Sequence, residues 1–177
     1  DIKPGLVSFN VDDFLLRSLS GLNLNDVELS FKDKKKKVSV RGDILISHFG
    51  LTGPAVIDLS NLLIEKSKFT VLDDDLNQKG DEEIENLELF SNRINIDFAP
   101  DLTEEEIKDQ ITKDTPDNGK MSIKNYLKRY LPVNFIDYFL MKINISPSKT
   151  MANISKKDKN KIAENLKRHT IEIESLE

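Results

Sequence analysis

The sequence predicts an α+β fold: a β-rich subdomain, which the family resemblance given below makes a small β-barrel, carrying an inserted small helical bundle. Three observations point to it. Period-two alternation of apolar and polar residues recurs at Val27–Phe31, Val38–Val40 and Ile94–Phe98, the signature of half-buried strands. Beyond Pro100 the apolar spacing becomes helical, as in Ile123, Tyr126, Leu127, Tyr130 and Leu131. Period two then returns at Ile171 and Ile173. Residues 1–99 plus 169–175 therefore read as the β-rich part and 100–168 as the helical part. With 177 residues, 38% hydrophobic content and 9 Phe, the chain has the material for a core, and disorder throughout is excluded.

Leu6-Val7-Ser8-Phe9 reads as a first strand, and Asp12-Asp13 precede a turn or two of helix holding Phe14, Leu15, Leu16 and Leu19, stopped by Gly21. Val27–Phe31 and Val38–Val40 make a hairpin with Lys34 to Lys37 at its solvated tip. Arg41-Gly42-Asp43 is read as a hairpin-to-strand corner, not an adhesion tripeptide. Ile44-Leu45-Ile46 reads as a strand buried on both faces, running into a tight turn. Pro54 opens the next helix, since its missing N–H is unpaired there anyway, with Gly53 or Thr52 as cap and an end near Leu63.

Asp73 to Glu88 carries eight acids and one lysine and is expected to be a surface loop. Thr103 with Glu106, and Ser155 with Asp158, have the spacing of helix caps, the first a capping box. Phe135, Ile136, Phe139, Leu140 and Ile143 form a further helical stripe. Lys142 to Arg168 holds eight basic and two acidic residues. Attraction between this segment and the acidic loop is screened within ~8 Å at physiological salt.

Composition narrows the chemistry. There are no cysteines, which removes disulfides, thiolate metal sites and a cysteine nucleophile, and a reducing, cytoplasmic location is expected. No apolar run approaches the ~20 residues that span a bilayer. The opening Asp1-Ile2-Lys3-Pro4 carries no signal-peptide pattern. The chain is expected to be a piece of a longer protein, with Leu176-Glu177 set aside as a vector-like tail. Two histidines and no spaced acidic ligands imply no metal. GxGxxG, GxxxxGK[ST] and GxSxG are all missing, so no complete active site is legible and the catalytic residues are unknown.

The informative stretch runs from Arg41 to Ser60, RGDILISHFGLTGPAVIDLS. Gly50 and Gly53 permit backbone turns that side chains would obstruct. The helix from Pro54 offers free N–H groups and a positive dipole end to an anion or carbonyl. His48 is expected beside that end, either touching a ligand as hydrogen-bonding partner, acid or base, or bracing the turn through the backbone. The candidate cofactor- or substrate-facing residues are His48, Gly50, Thr52, Gly53 and Pro54. His169, between a basic helix end and a strand, is expected at the surface without a role.

Gly42 to Ala55 resembles the signature of the BaiN/YhiN-like, or aminoacetone-oxidase-like, bacterial FAD-dependent flavoproteins, roughly G-[DE]-[IL]-L-F-T-H-x-G-[IL]-S-G-P-A. The match covers Gly42, Asp43, Ile44, Leu45, His48, Gly50, Leu51, Gly53, Pro54 and Ala55, with Ile46, Ser47 and Thr52 departing conservatively. Pro4 to Val7 and Gly21 to Val27 are similar to two further stretches of that family. The resemblance implies the middle insert of a longer protein, a barrel plus helices, whose remainder carries GxGxxG and binds FAD. It implies a redox reaction on a small organic substrate, with a nicotinamide nucleotide as a possible donor. No cofactor is expected for this chain alone, and its expected partners are the FAD-binding remainder and the substrate, with no membrane. Two other readings compete: a protein-binding or assembly module, and an RNA-associated barrel, the latter disfavoured by a net charge of -5.

Overall fold

The computed structural model describes residues 8–32, 37–73 and 93–176. Its strands are β1 (Phe9–Asn10), β2 (Asn23–Lys32), β3 (Lys37–Ile46), β4 (Gly50–Thr52), β5 (Arg93–Asp97), β6 (His169–Glu172) and β7 (Ser175–Leu176). The helices are α1 (Phe14–Arg17), α2 (Pro54–Asp73), α3 (Glu104–Asp114), α4 (Ile123–Leu127), α5 (Val133–Lys142) and α6 (Lys156–Lys167). The fold is α+β, as the periodicities predict.

All strand pairs are antiparallel, in the order β6-β5-β2-β3-β4-β1-β7. The sheet curls into a half-barrel. Its two outermost strands, β6 and β7, are consecutive in the chain, so residues 169–176 bridge both edges. Glu174 N–H donates to Asn10 C=O at 2.8 Å within that bridge. Leu176 is paired with Phe9, so it is part of the sheet and the reading of it as a tail is corrected. Of the expected strand Leu6–Phe9, Phe9 lies in β1 and Ser8 just precedes it; Leu6 and Val7 fall outside the described residues, as do the acidic stretch from Asp74 and Lys34 to Lys36 of the hairpin tip.

The β2–β3 hairpin has the expected register, with Leu29 opposite Val40 and Phe31 opposite Val38. Arg41-Gly42-Asp43 is no corner: it lies inside β3. The irregularity is on the opposite strand, a register shift between Leu24 and Val27 with Asp26 at φ 52°. The Asp43 carboxylate accepts from Asp26 N–H at 2.8 Å, and Arg41 clamps Asp26 and Asp101 together. Those two carboxylates raise the Arg41 pKa and are themselves lowered by it. Ile44 and Ile46 are buried but Leu45 only half so. The strand thus alternates, where burial on both faces was expected.

Helix α2 packs mainly on β3, burying Val56 and Leu59. A Cβ on Gly42 would stand 3.4 Å from the Cβ of Ala55, so glycine there lets helix and strand approach closely. The helix runs ten residues past Leu63 to Asp73. Both predicted caps form, Thr103 with Glu106 as the expected capping box and Ser155 with Asp158 as a second one. The Tyr126 helix is shorter than its apolar spacing predicts and ends at Leu127; a turn carries Tyr130.

The helices join the sheet through Phe98, whose N–H donates to Leu166 C=O at 2.8 Å. Its ring lies 5.2 Å from that of Phe135. Lys167 adds an ion pair to Asp97 at 2.6 Å.

Candidate functional site

Between β3 and α2 the chain makes a hairpin before the helix begins. Leu45 pairs with Thr52 and Ile46 with Leu51, leaving Ser47-His48-Phe49 as the tip. Ser47 N–H donates to Gly50 C=O at 2.8 Å, and Gly50 N–H donates to Ser47 Oγ at 3.2 Å, closing the turn. His48 is exposed, its ring edge-on to Phe49 at 4.9 Å. Because β4 intervenes, His48 and the start of α2 lie at opposite ends of that strand, roughly 10 Å apart at ~3.3 Å per residue. The expectation that His48 stands beside the helix end is therefore corrected. Thr52, Gly53 and Pro54 are at the helix end; His48 and Gly50 are at the tip.

The two glycines serve the fold. A Cβ on Gly50 would collide with the carbonyl oxygen of Phe9 and lie 2.9 Å from Val11 N. Gly53 has φ +104°, and a Cβ on it would meet Leu45 N at 3.0 Å and Asp43 O at 3.1 Å. The space that each leaves open is filled by this chain's own backbone, so neither forms an open cradle for a ligand.

The same β1–α1 connection borders a second feature. Val11 N–H donates to Phe49 C=O at 3.0 Å, and Val11 also lines a cleft of about 710 Å³ between α1, α5 and β6. That volume lies in the range of small-molecule sites. His169 contributes to the cleft and is only 3% exposed, which overturns its expected surface position. Rings of Phe98, Phe135, Tyr138 and Phe139 surround it at 5.7–5.9 Å. Among the described residues neither ring nitrogen has a hydrogen-bond partner. Burial, reinforced by the Lys142 charge, pushes its pKa down to about 4, against a smaller opposing effect of Asp13, so at neutral pH it is an uncharged imidazole.

Asp13 organises the cleft wall. One carboxylate oxygen accepts from the N–H groups of Leu15 and Leu16 at 3.1 Å, capping α1. The other takes the Tyr138 hydroxyl at 3.0 Å and the Lys142 ammonium at 2.6 Å. Burial alone would raise the Asp13 pKa, but the bonds from Lys142, Leu16 and Tyr138 outweigh it and the net shift is downward. Tyr138 is pushed up, by burial first and by the Asp13 carboxylate second.

The family model described as HI0933-like protein barrel and H2TH domain matches residues 3–177. The chain belongs to this family. The curled half-barrel with its several helices is consistent with that description, and membership in the HI0933-like family relates the chain to FAD-binding flavoproteins.

Do the described residues of this HI0933-like domain fit FAD by themselves? They do not: both glycine cradles are filled from within, and the sequence has no phosphate-binding loop. Among the described residues no group of His, Asp and Glu could hold a metal ion, and no helix is long and apolar enough to cross a membrane. The signature drew the sequence reading to the tip and helix end; it carried no sign of the cleft. One signal was present: His169 shares the period-two face of Ile171, and both are buried.

Proposed function

We propose that this domain is the substrate-side cap of a cytoplasmic FAD-dependent oxidoreductase acting on a small organic substrate, with the flavin held by the remainder of a longer polypeptide. The observation that carries the reading is the arrangement of three strands. Strand β1 pairs with both β4 and β7, so the first and last described strands are neighbours and lie beside the strand that joins the His48 tip to Thr52. A domain inserted into a flavin-binding protein through such a pair would hold His48, Gly50, Thr52, Gly53 and Pro54 at the joint. The cofactor would supply the redox chemistry, and a nicotinamide nucleotide is the proposed reductant. The cap would supply shape and a few polar contacts. Membranes and nucleic acid are not proposed partners.

The test is His48→Ala in the complete protein. Altered flavin absorption, substrate KM or kcat supports the placement of the tip at the joint; unchanged values of all three show that the tip is structural only. A second reading, a protein-binding module without redox activity, is favoured by Val133 and Met141, 52% and 48% exposed on α5. Concentration-dependent association of the domain, measured by sedimentation velocity and abolished by Val133→Ser with Met141→Ser, would support that alternative.

A further inference from the structure

We propose that the outer edge of β6 is the docking site for an extended segment of the flavin-binding remainder, which adds to the sheet as one more strand with basic and apolar residues in alternation. The inference rests on the reading above that such a remainder exists, and adds the place and manner of its contact.

Backbone accounting comes first. Strand β6 stands at the end of the sheet order and pairs with β5, Arg93 to Ile96 lying opposite Glu172 to His169. In an antiparallel ladder alternate residues turn both N–H and C=O away from the partner strand, so two of the 4 residues of β6 face outward. Among the described residues, no backbone hydrogen bond from outside the ladder reaches His169 to Glu172. The cleft between α1, α5 and β6 runs along this edge, because His169, Thr170, Ile171 and Glu172 all line it, together with Val11 to Leu15. It is thus the seam of the half-barrel, with β6 on one side and the connection that follows β1 on the other. Unpaired backbone groups along a strand edge are a template for a further strand, and β6 offers about 13 Å of it at ~3.3 Å per residue.

Side chains set the pattern of the guest. His169 and Ile171 are buried while Thr170 and Glu172 are exposed, and a guest strand presents alternate residues to the same two faces. On the exposed face Arg93 donates from Nε and Nη2 to a single oxygen of Glu172, at 3.1 and 2.9 Å. The second Glu172 oxygen has no partner among the described residues, and a basic side chain on the guest, the neighbour of β6 opposite β5, would take it. Asp12, 76% exposed, adds negative charge to the same cleft. Both cations there are engaged, Arg93 with Glu172 and Lys142 with Asp13 and the face of the Tyr138 ring, so the unspent charge favours a cation. On the other face Ile171 and Val11 line the seam, with Phe14 and Leu15, 75% and 45% exposed, beside them. Apolar guest residues fit there.

A strand of about four residues binds weakly between separate molecules. Tethered through the β1–β7 joint, the same contact forms at the millimolar effective concentration that a short linker provides. This favours the remainder over an unrelated protein as the occupant.

The probe is the blocked pentapeptide Lys-Val-Lys-Val-Lys, titrated into the isotope-labelled 177-residue chain and followed by backbone amide signals in NMR. It is expected to move those of β6 with Kd on the order of 1 mM. Lys-Val-Lys-Pro-Lys, equal in charge but short of a backbone donor, should bind at least about threefold more weakly, and so should Glu-Val-Glu-Val-Glu. Glu172→Gln, which alters only an exposed side chain, should weaken the lysine peptide roughly threefold. In the complete protein, hydrogen exchange read by mass spectrometry should be at least about tenfold slower over β6 than in the isolated chain, a protection of about 1.4 kcal/mol. Unmoved β6 signals at ten millimolar peptide, equal binding of either control peptide, or unchanged affinity in Glu172→Gln would overturn the proposal. So would β6 exchange in an FAD-bound complete protein as fast as in the chain. The underlying reading fails differently: a complete protein without FAD whose β6 is still protected would contradict the flavin and leave the strand addition standing.

Discussion

His169 is the residue at which burial and chemistry pull hardest against each other. An imidazole in an aromatic box, with both nitrogens unpaired among the described residues, is tolerable only while it is neutral. Its pKa falls from 6.5 to about 4 on folding, so the unfolded chain takes up the proton first as the pH drops. The contribution to stability is complete above pH 6.5, declines between 6.5 and 4, and is gone below, a loss of roughly 3 kcal/mol. Urea denaturation at pH 7.5, 5.5 and 4.5 should show it, and His169→Phe should flatten this part of the profile. Gly50 is the second residue with a sharp expectation. Because the place of its missing Cβ is taken by the Phe9 carbonyl, Gly50→Ala should cost at least ~2 kcal/mol in the same assay, whereas His48→Ala, at the exposed tip, should stay within ~0.5 kcal/mol. The Gly50 signal was legible in the signature. The burial of His169 was obscured because Phe98, Phe135 and Phe139, which bury it, lie 30 or more positions away in sequence.

At the scale of elements, what is encoded locally was read correctly and what is encoded by distant packing was not. The Thr103 and Ser155 caps satisfy orphan N–H groups with side chains three residues away, so spacing alone reveals them. Thr103→Ala should therefore cost ~1 kcal/mol. The cap of α1 is a different case. Asp13 also receives Tyr138 and Lys142 from α5, so Asp13→Ala removes a cap and strands two donors together, and ~2–3 kcal/mol is expected by chemical denaturation. Strand β4 was missed because three residues, Gly50-Leu51-Thr52 followed by Gly53, carry no alternation to detect. Its existence is owed to pairing with β1 and β3 on either side. The Arg41 clamp likewise joins Asp26 to Asp101 across 75 positions, beyond what a local motif conveys.

For the molecule as a whole, the strand-helix-strand sequence of the chain was legible from its changes of period, and the barrel came from the family resemblance. Strand order was not legible, because periodicity states which face of a strand is buried and says nothing of its neighbours. The segment 169–176 ties both sheet edges together, including a pairing of Leu176 with Phe9. Removal of residues 175–177 should accordingly lower Tm by roughly 3 °C, the shift of a ~1 kcal/mol loss in a chain of this size, and speed amide exchange in β1. The proposed function makes this β1–β7 pair the joint between the domain and a flavin-binding remainder. The most direct measurement is the visible absorption spectrum of the protein made from the complete reading frame that contains this sequence, followed by denaturation and identification of the released chromophore. Release of FAD is the predicted result. A colourless protein that cannot be reconstituted with FAD would contradict the account.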